Sequence, residues 1–287
     1  MSRGSSGRLA LPIHMAEFSG HLALTAAARG GRTVLAAQSF RAPFHLSKPY
    51  WNADHGVLVV QVVNPTAGIL AGDKLASQIV VESGASLVVT TPSASRVFKM
   101  DGGGSAESRQ EFRVAGGGWL EFSPEPLVPH RGSRFRQATT LDVEPGGSVF
   151  FVDQLQPGRV AHNDEAWLWE RLALELTVRL GGELILRERL DQTGESLHAL
   201  ARLAGSGSAA CFANAVLVAE VADGPWRREI DQLNADGLWV GVSALRRGGW
   251  SLRLVAADSV TLRQGLKDVR RVMATVVPRL AVDLRKL

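Results

Sequence analysis

Apolar and polar residues alternate along most of this chain with a period of two. Leu172, Leu174, Leu176, Val178 and Leu180 interleave with Ala173, Glu175, Thr177 and Arg179, the pattern of a strand with one buried face. Leu, Glu, Ala and Arg are also good helix formers, but the unbroken alternation and the stop at Gly181-Gly182 favour a strand. Alternation resumes from Glu183 to Leu190, which predicts a hairpin over 166–190 with a glycine turn. Further strands are predicted at 21–27, 32–41, 56–63, 74–81, 85–91, 107–114, 118–123, 134–143, 148–154, 209–222, 238–245 and 250–256. Gly116-Gly117-Gly118, Pro145-Gly146-Gly147 and Asp236-Gly237 punctuate them.

So many short strands predict a mainly β fold: a large, multi-stranded, β-helix-like or sandwich-like sheet structure, with antiparallel pairing. No repeat of fixed period is evident, which argues against a propeller. The C-terminus changes period. After Asp258-Ser259, Leu262, Leu266, Val269, Met273 and Val276 recur at three- and four-residue steps and predict a helix. Pro278 should end or kink it, with a second short helical piece towards Leu287, giving one or two C-terminal α-helices. Arg263, Lys267, Arg270 and Arg271 fall on the polar side of this helix, either as a solvated face or as a docking surface. The expected organisation is a flexible segment over 1–19 and one β-rich domain over 20–287, helical from about 258.

Composition narrows the function classes. With 32 basic and 28 acidic residues, the net charge of +4 is too mild and dispersed for a nucleic-acid-binding face. Cys211 is the only cysteine, so neither an intramolecular disulfide nor a thiolate metal cluster is possible, and a reducing compartment is expected. Flanked by Ala210 and Phe212, it reads as a small buried hydrophobe. No run approaches the roughly 18 apolar residues of a membrane span. The stretch Leu9–Ile13 is too short for a signal peptide. A cytoplasmic protein is expected.

Two dense runs carry the candidate chemistry: Asn64-Pro-Thr-Ala-Gly-Ile-Leu-Ala-Gly-Asp73 and Thr90-Thr-Pro-Ser-Ala-Ser-Arg-Val-Phe-Lys99. Gly68 to Lys74 fails as a phosphate loop. Only three residues separate its glycines, Asp73 interrupts Gly-Lys, and Leu75 replaces the required hydroxyl. Neither a Gly-x-Ser-x-Gly elbow nor a His-Glu-x-x-His motif occurs. A hydrolase using Ser93 with His130 or His162 is therefore an alternative without a motif behind it, and a plain β-sheet interaction module with no metal role is another. The run Gln156–Glu165 bundles His162, Asn163, Asp164 and Glu165 after a Pro-Gly turn. Imidazole and carboxylate suit a borderline divalent ion, but four adjacent loop residues cannot all face one ion, so it reads equally as a polar turn. Phe122–Arg131 carries three prolines and should be a stiff edge or surface segment.

Taken together, Asn64–Asp73, Gly84-Ala85 leading to Thr90–Lys99, Leu120–Pro129 and Gly158-Arg159-Val160-Ala161 resemble the urease accessory protein family UreD, also called UreH, in order and spacing. The family follows Gly-Arg-x-Ala with a basic residue, Gly and Glu; here stand His162, Asn163 and Asp164, with Glu165 next. The resemblance implies a non-enzymatic scaffold for urease maturation. It would bind apo-urease and a UreF-like accessory protein, and through it a UreG-like GTPase. Nucleic acid and membrane are not implied as partners. It implies no tightly bound cofactor, with nickel(II) in transit through a polar passage. The positions it marks near that passage are Asp73, Thr90, Thr91, Ser93 and Asp164, with His162 and Glu165 beside the last.

Overall fold

Three similar turns organise the chain: Val81-Glu82-Ser83-Gly84-Ala85, Val114-Ala115-Gly116-Gly117-Gly118 and Val143-Glu144-Pro145-Gly146-Gly147. Each is closed by a backbone bond, from Ala85 N to Glu82 O at 3.1 Å, Gly118 N to Ala115 O at 2.9 Å and Gly147 N to Glu144 O at 2.9 Å. The third turn residue is Gly84, Gly117 or Gly146, with φ of 73°, 76° and 79°, the left-handed region that a type II turn assigns to glycine. These glycines lie 33 and 29 residues apart (84 to 117, 117 to 146). Loops of unequal length between them conceal the repeat from a search for one period.

The computed structural model describes residues 19–162, 165–203, 207 and 209–284; apart from Ser19, the expected flexible segment 1–19 lies outside them. Each turn joins a strand of a first sheet to a strand of a second: Lys74–Val81 to Ser86–Thr90, Ala106–Val114 to Trp119–Ser123, and Arg134–Val143 to Ser148–Leu155. Successive coils stack in register, with Ile79 beside Phe112 and Phe112 beside Leu141 in the first sheet. In the second sheet Val89 lies beside Phe122, and Phe122 beside Phe151. The result is a β-solenoid-like stack of seven- and eleven-stranded sheets.

Pairing within the coils is parallel, from Gly20–Arg29 to Arg171–Leu180 in the first sheet and from Val57–Val63 to Ser148–Leu155 in the second. This corrects the antiparallel expectation. Side-chain alternation has period two in either kind of ladder, so the pattern cannot reveal strand direction. Antiparallel pairs close the flanks, including the predicted hairpin Arg171–Leu180 with Glu183–Gln192, and Cys211–Val218 with Trp250–Ala256.

The two sheets enclose an apolar core at the turn end, built from Ile79, Phe112 and Leu141 against Leu87, Phe122 and Phe151. The Phe122 and Phe151 rings stack with centroids 5.6 Å apart and an interplanar angle of 8°. The outer face of the second sheet, including Trp119, Phe150 and Leu254, is covered by helix α3, Ser259–Ala274, through Leu262, Val269, Val272 and Met273. Asp258 caps α3 by accepting from Thr261 N at 2.8 Å. A 3₁₀ turn over Pro278–Ala281 follows, where a second helical piece was expected. Two helices were not anticipated: α1, Gly194–Leu203, and α2, Pro225–Asp231. Both are shorter than the window in which helical periodicity is legible. Cys211 is buried as expected, and burial pushes its thiol up to about 12. Among the described residues no helix is long and apolar enough to cross a membrane.

Candidate functional site

First-sheet strands start, and second-sheet strands end, at the side of the stack opposite the glycine turns, so the longer loops gather there. The two conspicuous runs are zipped together at this end. Ile69 N donates to Arg96 O at 2.8 Å and Phe98 N to Ile69 O at 2.9 Å. Gly68, at φ 152°, leaves no room for a Cβ, which would lie 2.6 Å from Arg96 O. Leu127–Pro129 adds a parallel strand to Ser95–Val97. The proline-rich segment is therefore interior to the loop end, with Val128, Pro129 and His130 buried, and the surface placement expected for it is corrected. Its prolines are tolerated because the added strand is only three residues long.

Inside this end the facing surfaces of the sheets turn polar. Ser77, Ser108, Gln110 and Gln137 occupy the inward register positions that Ile79, Phe112 and Leu141 occupy further along the same strands, and they line a cavity of about 330 Å³. Thr91, Ser93, Glu125 and Asp153 line it from the other side. A second cavity of about 310 Å³ abuts the first, and Gln137, Asp153 and Gln154 belong to both walls. Asp153 thus stands at the junction. Its carboxylate has no hydrogen-bond or ion-pair partner among the described residues. Burial, and then the negative charge of Glu188, push its carboxyl up to about 7.

The sequence-predicted residues divide by place. Thr91 and Ser93 line the cavity; the Thr91 hydroxyl accepts from Glu125 N at 2.8 Å and donates to Ser93 O at 3.3 Å. Thr90 is fully buried and donates to Ser123 O at 2.8 Å, tying adjacent coils together. Asp73 accepts from Leu70 N at 2.8 Å and so closes the first loop on itself. His162 is exposed. Glu165 accepts from Arg159 Nε at 2.9 Å and Nη2 at 2.6 Å, and that guanidinium holds its carboxyl below the usual carboxylate range. Asn163 and Asp164 lie outside the described residues.

His130 is buried with Nε2 unpartnered, edge-on to Phe98 at 4.9 Å, and burial lowers its pKa. Among the described residues no hydrogen bond links Ser93 to His130 or His162, and no three His, Cys, Asp or Glu side chains converge as a metal cage. What the cavity offers is hydroxyl and amide oxygens with two carboxylates and the Arg96 side chain in its wall; Glu125 lies 3.8 Å from Arg263, and Asp153 has no partner among the described residues. Such a set suits weak, exchangeable contacts to a hydrated divalent cation better than tight capture. Asp153, Gln110 and Gln137 escaped sequence reasoning. Their signal is a polar residue at the inward phase of an otherwise apolar strand, and it becomes legible only once strand register is known.

Comparison with known proteins supplies a further finding. The family model described as UreD urease accessory protein matches residues 19–285. Urease accessory protein UreD of Opitutus terrae is 59% identical over 273 residues, 94% of this chain and all of that protein. Urease accessory protein UreD of Yersinia enterocolitica is 40% identical over 147 residues, 50% of this chain and 45% of that protein. The Yersinia pseudotuberculosis protein of the same name is 37% identical over 188 residues, 63% of this chain and 58% of that protein.

Proposed function

The chain belongs to the UreD urease accessory protein family, and from that premise we propose that it serves urease maturation as a non-catalytic scaffold in the cytoplasm. It binds apo-urease and a UreF-like accessory protein, recruits a UreG-like GTPase through the latter, and passes nickel(II) along its polar interior. The observation that carries this reading is the pair of abutting cavities with Asp153 at their junction. Asp153 is half-buried and has no partner among the described residues; a carboxylate withdrawn from water without a counter-charge is costly, and a cation route gives it a use. Thr91 and Ser93 form the wall of the first cavity. Asp73, Thr90, His162, Asp164 and Glu165 stay in the proposal as separate candidates of the loop end.

The test is co-expression of urease with its accessory set, reading nickel per urease active site and recovery of the accessory complex. Asp153→Asn should lower nickel severalfold while the complex is recovered intact; unchanged nickel would reject the interior route. The Asp73→Ala, Asp164→Ala pair examines the loop candidates in the same assay.

A further inference from the structure

Asp153, Asn214, Arg253 and Gly241 stand in one row across the second sheet. Asp153 pairs in register with Asn214, Asn214 with Arg253, and Arg253 with Gly241. Directly paired residues of antiparallel strands share a face, so the row carries the inner face from the cavity junction out to the sheet's edge. There the exposed Trp239 ring lies over Gly241, where a Cβ would meet it at 2.8 Å. Glu188 reaches this row from the opposite sheet. Its Oε1 accepts from Arg253 Nη2 at 2.5 Å, and its Oε2 from Asn214 Nδ2 at 3.2 Å. Asp153, Glu188, Asn214 and Arg253 all line the second cavity.

The two members of the ion pair differ in freedom. The Glu188 side chain is 12% exposed, whereas that of Arg253 is 53% exposed. The carboxylate is fixed in the wall and the guanidinium can turn into solvent. A divalent cation leaving Asp153 along this row finds the next carboxylate neutralised and a positive charge in its path. Arg253 stands two strands from Asp153, roughly 10 Å at about 4.8 Å per strand, and like charges at that distance in a partly buried site still repel. The Arg187–Glu175 pair also lines this cavity, but it joins two strands of one hairpin, whereas Arg253–Glu188 spans the two sheets.

We propose that the Arg253–Glu188 pair is the gate of the second cavity. Closed, as here, it retains a divalent cation at Asp153; when Arg253 turns outward, Glu188 is uncovered and the cation advances. The gate rests on the interior route proposed above and adds to it the position where transit is controlled.

Titration of the purified full chain with NiCl₂, read calorimetrically, tests this. Arg253→Gln should raise nickel affinity by about tenfold, which is roughly 1.4 kcal/mol. Adding Glu188→Gln to Arg253→Gln should return affinity to the wild-type level. Equal affinity for wild type and Arg253→Gln, or a gain that survives Glu188→Gln, overturns the gate. A mere sheet-to-sheet tie would lower the melting temperature and leave affinity alone. Should Arg253→Gln not fold, Glu188→Gln by itself decides in the co-expression assay. The guanidinium then has no carboxylate behind it, so nickel delivered to urease should fall severalfold with the complex intact, and unchanged delivery refutes the proposal. If Asp153→Asn has no effect in that assay, the interior route itself fails. If Asp153→Asn matters and the Arg253 variants do not, only the gate fails.

Discussion

Arg270 and Glu121, 149 positions apart, form a bidentate ion pair, with Nε to Oε1 at 2.9 Å and Nη2 to Oε2 at 3.1 Å. Glu121 is completely buried beneath α3. The third guanidinium nitrogen, Nη1, donates to Val282 O at 2.7 Å, so one side chain joins the second sheet, α3 and the C-terminal segment. Arg270 was expected on a solvated or docking face; it is instead the residue that fixes the helix in place. Arg270→Met should cost about 3–5 kcal/mol, because it strands a buried carboxylate. The melting temperature should fall by on the order of 10 °C. Converting Glu121 to Met as well should recover most of that loss, and a thermal melt of the single and double variants checks both statements.

Asp153 should show opposite signs in stability and function. Its folded pKa, about 7, lies above its ordinary value of 3.8. Between those values the unfolded chain releases a proton that the folded chain keeps, so this residue lowers stability progressively as pH rises towards 7. Asp153→Asn should therefore match wild type near pH 4 and be the more stable protein above pH 7. The gain is on the order of 2 kcal/mol, less than the full shift at about 1.4 kcal/mol per unit because the group lines a cavity and is partly screened. Denaturant melts from pH 4 to 8 would show it. A difference that does not vary with pH would mean that the carboxyl is not strained.

Strand positions were legible because period-two alternation and glycine turns are local signals. The hairpin at Gly181-Gly182 and the apolar stripe from Leu262 to Met273 appear where the pattern put them. Strand direction was not legible, since it depends on which coil lies beside which. The interior polar set was hidden for the same reason. Ser77, Gln110 and Gln137 look like ordinary polar positions until the parallel register places all three on the inner wall. The resemblance motifs gather at the loop end of the molecule, yet several motif residues serve its construction. Thr90 and Asp73 bond to backbone, and Gly158 lets the chain pass Glu165 O, which a Cβ would approach to 2.5 Å.

Helix α1 starts under an unusual constraint. Trp167 has φ 62°, and its carbonyl oxygen would lie 2.0 Å from a Cβ at position 194. The Trp167 ring meanwhile stacks on His198 of α1 at 5.2 Å and packs on Trp169 at 5.4 Å. Gly194→Ala should push α1 away from both tryptophans and cost about 2 kcal/mol or more, as backbone-incompatible substitutions do. A red shift of tryptophan emission should accompany the lower melting temperature. Unaltered emission would mean that α1 accommodates the methyl without moving.

Arg159 and Glu165 allow construction and cation handling to be told apart at the loop end. Each supports the other across the short ribbon of Gly158–Arg159 and Glu165–Ala166, with Arg131 a further 3.9 Å from the carboxylate. A carboxylate held this way by a guanidinium is a poor ligand, because a cation must first displace the arginine. If the pair is purely constructional, Arg159→Met and Glu165→Gln should lower the melting temperature by similar amounts, and the double variant should add little to either. Nickel delivery to co-expressed urease should then follow stability in all three. If Glu165 instead touches the cation, Glu165→Gln should reduce delivery beyond its effect on stability, and Arg159→Met, which frees the carboxylate, should not. Measuring melting temperature and urease nickel content on the same three variants separates the two roles.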